Sequence, residues 1–306
     1  MKKPIIGIRL NEIHTFDLNY RGFMNGDELI ARCWVKYLQR HDQVESVFLY
    51  GPQGAIDEPI DVLIHFNPHL ELHPKAKNVL YLQNAFPATD HPGGTVGVFQ
   101  RACHRFDAYI FTSRKLMESC APGAIVPFAA DPEMFFPQPT GRYALPVTFV
   151  GNNIRTFETN QRYLAPALPF GLVIYGGGWH MSPFVTAYRG KLPMDDLAAL
   201  YTDCAINLNA HIIEHREMNL INMRIYEILA CGGFVMSDHV PAVVEEFGDV
   251  VVSTDGDEDM WAKLVRYLPD DAERKRRSIE GRRRVLARHS YEYRVDTVCR
   301  FLKEIL

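Results

Sequence analysis

Short apolar runs that recur along the whole chain constrain its fold more than any other feature of the sequence. Between them lie stretches with apolar residues at helical spacing, such as DELIARCWVKYLQ at 27–39. Strands that are buried on both faces of a parallel sheet read as continuous apolar runs, and helices connect them. The pattern therefore predicts an α/β fold with doubly wound parallel sheets. The predicted strands are 5–10, 44–50, 62–66, 79–82, 108–112, 125–126, 147–150, 172–175, 205–208, 234–236 and 250–252.

A proline-rich segment divides the predicted strands into two groups. Residues 130–146 read ADPEMFFPQPTGRYALP, and the prolines and the glycine in this stretch interrupt both helices and sheet ladders. A chain of 306 residues also suits two domains of about 150 residues each. We predict a first Rossmann-like domain over 1–143 and a second over 144–288, followed by a helix over 289–306.

Composition and charge exclude several classes of protein. With 47% hydrophobic and 23% charged residues, the chain is globular rather than disordered. Lys and Arg number 33 against 37 Asp and Glu, so no overall positive field is available to hold nucleic acid or an anionic membrane. The six cysteines include no CxxC pair, and no apolar run approaches the ~18 residues of a membrane span. We expect a cytoplasmic protein with reduced thiols and no transmembrane segment.

The loops after the strands of the second half hold candidate binding residues, because doubly wound sheets bind ligands beyond the carboxyl ends of their strands. The chain reads GNNIRTF after 147–150 and GGGWH after 172–175. Glycines let the backbone approach a ligand, and Trp179 offers a ring that can lie against a planar base. The glycine run by itself is equally consistent with a simple turn. The candidates here are Gly151, Asn152, Asn153, Arg155, Tyr175, Gly176 and Trp179.

A polar loop leads into the helical stretch MRIYEILACGG and indicates an anion site. The start of a helix presents unpaired N–H groups and a partial positive charge. Asn222, Met223 and Arg224 lie at this start, and Asn209 lies near the end of the preceding strand. A diphosphate suits these groups, and Glu227, about one turn further on, is placed to accept hydrogen bonds from two sugar hydroxyls. The alternative is an ordinary i,i+3 ion pair between Arg224 and Glu227.

The second half also contains a distinctive combination of motifs: FVGNN, IYGGGW, YRGKLPMDDLAALYTDCAINLNAH, MRIYEILACGGFVMSDHVPAVVEEFGDVVV and ARHSYEYRV, over roughly residues 146–296. This combination resembles the glycosyltransferases related to the spore-maturation protein CgeB. The resemblance implies the GT-B fold, in which two Rossmann-like domains face each other across a cleft. A C-terminal helix, here 289–306, would cross back to the first domain. It also implies an enzyme, a glycosyltransferase that binds a nucleotide-diphosphate sugar in its second domain.

The resemblance assigns roles to particular residues. Glu227 matches the carboxylate that holds the nucleotide ribose, the helix start at 222–224 matches the diphosphate site, and residues 175–179 with Gly190 flank the base. One position departs from the pattern, because many retaining GT-B enzymes have a second glutamate where this chain has Asn219. We expect a UDP sugar in preference to a GDP or dTDP sugar, and no metal or other cofactor. The acceptor and the transferred sugar stay open.

An inverting transfer would need a general base from the first domain. The sequence offers His14 and Asp17 in the loop after the first strand, and Asp90 or His91 in the segment NAFPATDHPGG after the fourth. No spacing marks any of them, and each one taken singly is more typical of a solvated loop residue.

Other functions are consistent with parts of the sequence. The segment HIIEH at 211–215 matches the H-x-x-E-H arrangement of inverted zinc proteases, in which His211 and His215 would bind zinc, although it follows a strand rather than lying on a helix. A second alternative is a non-catalytic module that binds a nucleotide sugar or a glycan. A basic run at 274–284 suits either an anionic membrane or polymer or, as the simpler interpretation, a solvated helix face.

Overall fold

The structure, a computed structural model, describes residues 2–83 and 86–306. The chain forms two compact units. The first comprises Met1–Tyr20, Met24–Phe128 and Tyr291–Leu306, and the second comprises Arg21–Phe23 and Ala129–Ser290. Each unit is built on one parallel sheet with helices in its connections, so the predicted α/β fold is confirmed.

The strands and helices alternate along the chain. The strands are β1 (Ile5–Arg9), β2 (Ser46–Tyr50), β3 (Val62–His65), β4 (Lys77–Leu82), β5 (Ala108–Phe111), β6 (Ala124–Ile125), β7 (Val147–Val150), β8 (Leu172–Tyr175), β9 (Ile206–Asn209), β10 (Val235–Asp238) and β11 (Val252–Thr254). The helices are α1 (Gly26–Gln39), α2 (Gly94–Ala102), α3 (Arg114–Cys120), α4 (Phe157–Tyr163), α5 (Met194–Asp203), α6 (Ile213–Glu217), α7 (Met223–Ala230), α8 (Pro241–Phe247), α9 (Asp257–Tyr267), α10 (Asp271–Arg288) and α11 (Tyr291–Ile305).

The sheet of the first unit has the strand order β2-β1-β3-β4-β5-β6, and its strands pair in parallel. Its core gathers around Trp34 of α1, which is fully buried. The Trp34 ring lies 5.6 Å from the ring of Phe66 and 4.6 Å from that of Tyr81. The apolar face that the sequence predicts for α1 is therefore the face that packs on the sheet.

The sheet of the second unit has the order β11-β10-β9-β7-β8, again with parallel pairing. Phe149 of β7 and the rings of Trp179 and Phe184 are fully buried in its core. Because parallel strands all end at the same edge of a sheet, the loops after β7, β8, β9 and β10 emerge side by side. This edge collects most of the residues that the sequence marks for binding.

The division between the units follows Phe128, whereas the sequence analysis places it after residue 143. The proline-rich segment is attached to α5 of the second unit. The amide of Gln138 donates to Thr202 Oγ1 over 3.0 Å, Thr140 Oγ1 donates to Asp203 Oδ2 over 2.7 Å, and Arg142 forms a 2.7 Å ion pair with Asp196. Prolines break regular structure, but the residues between them still carry donors that bind a neighbouring helix.

The last helix, α11, is part of the first unit and packs on α1. Arg294 ties it to the end of the stretch Met24–Phe128 of that unit, because its Nε donates to the carbonyl of Pro127 over 3.1 Å. Within the described residues, no helix is long and apolar enough to cross a membrane.

We predict that Trp34→Ala lowers the free energy of unfolding by about 3–5 kcal/mol, because the substitution removes a fully buried indole and leaves a cavity. Denaturant unfolding followed by circular dichroism measures this change. Trp261, whose side chain is 46% exposed, provides the control, and Trp261→Ala is expected to cost about 1 kcal/mol or less. Equal losses in the two variants would contradict the assignment of Trp34 to the core.

Candidate functional site

The loops after β7 and β8 are pressed against each other at the carboxyl edge of the second sheet. The amide of Gly151 donates to the carbonyl of Tyr175 over 2.8 Å, and the amide of Gly176 donates to the carbonyl of Gly190 over 2.9 Å. Gly176 has φ 140°, and a Cβ atom there would lie 2.2 Å from the carbonyl oxygen of Gly151. Only glycine fits this contact, so Gly176, the first residue of the GGG run, is a packing requirement of the site.

Trp179 lies beneath these loops and is 0% exposed. Its indole N–H donates to the carbonyl of Gly151 over 2.8 Å, and its ring meets Phe149 edge-on at 5.9 Å between centroids. The ring has no free face, so the prediction that it lies against a base is wrong. Sequence position alone does not distinguish an aromatic residue that contacts a ligand from one that belongs to the core. Trp179 is a core side chain, and it supports the glycine loop.

The predicted asparagines connect the two loops. Asn152 Oδ1 accepts from the amide of Gly177 over 2.8 Å, and Asn153 Nδ2 donates to the carbonyl of Gly178 over 3.1 Å. Tyr175 is half-buried, edge-on to Tyr143 at 6.4 Å, and the space beside Gly190 is open within 4 Å of an added Cβ. Asn152 and Asn153 therefore shape the loops, while Tyr175 and Gly190 lie nearest to open space.

Two guanidinium groups come together over the ring of Phe149. Arg155 lies 4.8 Å from the ring centroid and Arg224 lies 5.3 Å from it. Arg155 Nε donates to the carbonyl of Ala210 over 2.5 Å, and Arg224 Nη1 donates to Asn209 Oδ1 over 3.0 Å. Among the described residues neither guanidinium forms an ion pair with a carboxylate. The expected alternative, a pair between Arg224 and Glu227, is therefore not formed.

The electrostatics of this pair of arginines are unfavourable without an anion. Burial and the charge of Arg224 lower the pKa of Arg155 to about 9. Burial, with the positive charges of Arg155 and Arg224 among its other causes, also lowers the pKa of His215 to about 3, so that imidazole is neutral at physiological pH. The charge of Asp238 acts on the pKa of Arg155 in the opposite direction, but no carboxylate among the described residues forms an ion pair with either arginine. Like charges held close together favour an anion that reaches them.

A buried polar network lies behind the arginines. Asn209 is central to it: Nδ2 donates to Ser237 Oγ over 2.9 Å, and Oδ1 accepts from Asn222 Nδ2 over 2.8 Å as well as from Arg224. The carboxamide of Asn222 is thus turned inward, and it does not cap α7, of which Asn222 is the N-cap residue. The first-turn N–H groups of α7, at Met223 and Arg224, are left without a side-chain cap.

His211 belongs to the same network and not to a zinc site. Its Nδ1 lies 2.7 Å from Asp238 Oδ1, both side chains are fully buried, and its Nε2 accepts from the amide of Asn222 over 3.3 Å. Helix α6 begins only at Ile213, so His211 and His215 do not share a helix. No group of three or more potential metal ligands occurs in the two described stretches of the chain. With both ring nitrogens of His211 engaged, the zinc hydrolase alternative is wrong.

Glu227 lies one turn after Arg224 on α7 and is 5% exposed. Its carboxylate makes no hydrogen bond or ion pair with the residues that the structure describes. Burial raises its pKa to about 7, although the charge of Arg224 acts in the opposite direction. A buried carboxylate without partners is costly, and it is a common sign of a site that expects hydrogen-bond donors from a ligand.

In the first unit, His14 is paired with a residue that the sequence analysis did not identify. Its Nδ1 lies 2.6 Å from Glu28 Oε2, and Arg32 Nη2 lies 2.6 Å from the other carboxylate oxygen. The side chain of His14 is 37% exposed, whereas that of Glu28 is 1% exposed. The sequence does contain a sign of this cluster. Glu28 and Arg32 lie one turn apart among the apolar residues of α1, where charged side chains are uncommon unless they are paired.

The other candidates of the first unit lie in exposed turns. Asp17 Oδ1 accepts from the amide of Asn19 over 2.9 Å, as in an ordinary Asx turn. Asp90 is exposed, and the ring of His91 rests edge-on against Phe86 at 5.1 Å. Residues 84–85, at the start of the same predicted loop, lie outside the described residues. Of the four candidates, only His14 is oriented by a buried carboxylate.

Comparisons with known proteins bear on the class of the protein and on its fold. Residues 152–300 match a family model described as Glycosyl transferase-like. No curated protein matches the sequence. The matched segment, which covers most of the second unit and of α11, is similar to glycosyl transferases, and the predicted enzyme class, a glycosyltransferase, is confirmed.

Solved structures resemble the whole chain in fold. They include sucrose-phosphate synthase from Thermosynechococcus elongatus, with TM-score 0.71, 11% identity and 99% of both chains covered. The Anabaena protein HepE in complex with UDP and glucose has TM-score 0.69, 10% identity, and 98% of this chain and 100% of its own covered. A glycosyltransferase from Rickettsia africae has TM-score 0.68, 11% identity, and coverages of 100% and 99%. The predicted GT-B fold is confirmed.

We predict that Glu227→Gln raises the free energy of unfolding at pH 8 by on the order of 1–3 kcal/mol. The pKa of the Glu227 carboxyl is about 7 in the folded protein and is lower in the unfolded chain, because burial disfavours the charged form. The folded state therefore loses stability as the pH rises from the ordinary pKa of a glutamate towards about 7. Glutamine resembles the protonated form and removes this loss. Denaturant unfolding at pH 8 and at pH 4 measures the effect, which is expected to vanish at pH 4. A destabilised variant at pH 8 would show that the carboxylate has partners in the folded protein.

Proposed function

We propose that this protein transfers a sugar from a nucleotide-diphosphate donor, bound at the carboxyl edge of the second sheet, to an acceptor hydroxyl. The proposal depends on one observation about the described part of the chain. Within it, two guanidinium groups form no ion pair with a carboxylate, and one buried carboxylate accepts no hydrogen bond. Each of these groups lacks what a nucleoside diphosphate provides. The diphosphate supplies negative charge for Arg155 and Arg224, and the ribose supplies two hydroxyl donors for Glu227.

The diphosphate is proposed to bind at the start of α7. The uncapped N–H groups there add to the charge of the two arginines. As the bond from the anomeric carbon to the diphosphate breaks, negative charge grows on the leaving phosphate. Groups already held in place by Asn209 and Phe149 stabilise that charge more than they stabilise the bound donor, which lowers the barrier. We propose that this charge makes a metal or other cofactor unnecessary.

The identity of Asn209 supports this assignment. An amide oxygen orients Arg224 over 3.0 Å without neutralising it, whereas a carboxylate in the same place would form an ion pair. The site therefore keeps the charge of Arg224 available for a ligand. Asn219 stands where many retaining enzymes have a second glutamate, and its Oδ1 accepts from the amide of Ala242 over 2.8 Å at the start of α8.

A UDP sugar is the proposed donor. The Anabaena protein HepE, which shares the fold, is described in complexes with UDP and glucose and with UDP-glucose. Tyr175 and Gly190 are the proposed neighbours of the base, since they lie beside open space at the end of β8. We propose a CgeB-like subtype on the motifs of residues 146–296. A cytoplasmic location is proposed on the reduced thiols of Cys204, Cys231 and Cys299. The acceptor is not assigned.

His14 is the proposed general base for the acceptor hydroxyl. The carboxylate of Glu28, whose pKa is lowered by its bonds to Arg32 and His14 against the effect of burial, accepts a hydrogen bond from Nδ1–H. In the neutral tautomer with its proton on Nδ1, the other ring nitrogen, Nε2, is an acceptor, and it has no hydrogen-bond partner among the described residues. Such an imidazole is placed to take a proton, as in other histidine–carboxylate pairs.

We predict that Arg155→Gln and Arg224→Gln each weaken the binding of UDP by about 10- to 100-fold, since each removes a charged hydrogen bond to phosphate. Binding of uridine, which lacks the phosphates, is expected to be unchanged. Asn209→Asp is expected to weaken UDP similarly, because the new carboxylate pairs with Arg224. Calorimetry with UDP, GDP, dTDP and uridine measures these affinities.

Arg283→Gln serves as the control for these variants, because Arg283 is an exposed arginine paired with Glu280 on α10. If none of the three nucleotides binds the wild-type protein, the proposal is wrong. If the nucleotides bind but the protein neither transfers nor hydrolyses the donor across an acceptor panel, the non-catalytic module is the better description.

We predict that His14→Gln lowers the rate of sugar transfer by about 10²- to 10⁴-fold while leaving the affinity for UDP within about twofold. The measurement compares kcat for transfer with the UDP dissociation constant. Asp17→Asn in the same loop is the matched control and is expected to keep most of the activity. A small effect of His14→Gln on kcat would mean that another group, such as the leaving diphosphate, takes the acceptor proton.

A further inference from the structure

A second cavity lies on the amino-terminal side of the same sheet, away from the candidate donor site. Its volume is about 430 Å³, and it is formed within the second unit by residues just before β9 and β10 and by one face of α10. Cavities of this size commonly hold small molecules. Its polar lining includes Asp203, Asp271, Arg274, Lys275, Ser278 and Arg282.

The ion pairs of α10 show which of its cations are left to bind a ligand. The basic run at 274–284 has seven cationic residues, and five of them pair with carboxylates. Those five are Arg274 with Asp271, Arg276 and Arg277 with Glu273, Arg283 with Glu280, and Arg284 with Asp249 and Glu280. This pairing supports the interpretation of most of the run as a solvated helix face.

The two remaining cations, Lys275 and Arg282, both line the cavity. They are two helical turns apart, so they lie on the same face of α10. In the part of the chain that the structure describes, neither forms an ion pair. Arg282 uses Nε to bind the carbonyl of Ala230 over 3.2 Å, which leaves its Nη groups free of protein partners. Ser278, between them, is 8% exposed and adds a hydroxyl.

The acidic residues of the lining do not cancel this charge at close range. Asp271 is paired with Arg274 at 3.1 Å. Asp203 is held by the proline-rich segment, since its carboxylate accepts from the amide of Thr140 over 3.0 Å and from Thr140 Oγ1 over 2.7 Å. These contacts lower the pKa of Asp203 against the effect of burial, so it stays ionised but engaged.

We propose that this cavity binds a small phosphorylated ligand, with a phosphate monoester between Lys275 and Arg282. A phosphate dianion matches two cations and a hydroxyl, and the remaining volume accommodates a sugar-sized group. A polymer or a membrane surface is disfavoured, because the exposed arginines of the basic run, Arg276 and Arg283, are already paired with carboxylates and because Lys275 and Arg282 both line the cavity. The ligand would contact Cys231 and Gly232, directly after α7.

The test must separate this cavity from the donor site, which also attracts phosphate. The double variant Arg155→Gln/Arg224→Gln removes the charges of the donor site, and calorimetric titration then uses inorganic phosphate and glucose 6-phosphate as probes. Saturable binding is expected to persist in this background. Adding Lys275→Gln or Arg282→Gln is expected to weaken it by about tenfold or more. Adding Arg283→Gln, on the exposed face of the same helix, is expected to change it less than twofold.

Several outcomes would overturn the proposal. Absence of saturable binding up to about 10 mM, a range in which a Kd of about 1 mM is readily measured, would exclude the site. An equal loss in the Arg283→Gln variant would show diffuse helix charge instead of a cavity. Binding only to heparin or to vesicles of anionic lipid would assign the cations to a polymer or a membrane.

Stronger binding of glucose 6-phosphate than of inorganic phosphate would identify a sugar phosphate as the better ligand. Wild-type protein saturated with UDP provides a second background if the double variant does not fold. Failure here leaves the donor-site proposal intact, because UDP binding is measured independently of Lys275 and Arg282.

Discussion

The candidate site depends on two positive charges that are held close together and that form no ion pair with any carboxylate among the described residues. Arg155 and Arg224 both lie over the ring of Phe149, where the face of the aromatic ring gives each cation a weak attraction. Carbonyl and amide oxygens complete their contacts, and these orient a guanidinium without removing its charge. The fold thereby stores electrostatic repulsion that an arriving anion relieves.

That arrangement requires rigid support, which the buried network supplies. Asp238 holds His211, His211 accepts from the amide of Asn222, and Asn222 and Arg224 both donate to Asn209. Because these groups are buried and bonded to one another, the start of α7 cannot shift without leaving several polar atoms unpaired. The close contact between Gly151 and Gly176 holds the loops after β7 and β8 together, and so supports the part of the site that these loops form.

In the first unit, too, a buried polar cluster holds a candidate catalytic side chain in place. Glu28 is buried and bonded to both Arg32 and His14, so the loop after β1 is attached to α1 through charged hydrogen bonds. His14 is half-exposed at the end of this chain of contacts. An oriented imidazole is useful for proton transfer only when its tautomer is controlled, and a buried carboxylate provides that control.

The sequence by itself determined the order of strands and helices, because hydrophobic period is a local property: β7 and β8 lie at the predicted residues 147–150 and 172–175. It also indicated the edge of the sheet at which the candidate site lies. Only the tertiary structure decided which polar groups are paired. It placed Trp179 in the core, joined His14 to Glu28 and engaged both nitrogens of His211. It left the Glu227 carboxylate without a hydrogen-bond partner in the described part of the chain. Partners such as His211 and Asp238 are far apart in the chain, and no local pattern records the packing that brings them into contact.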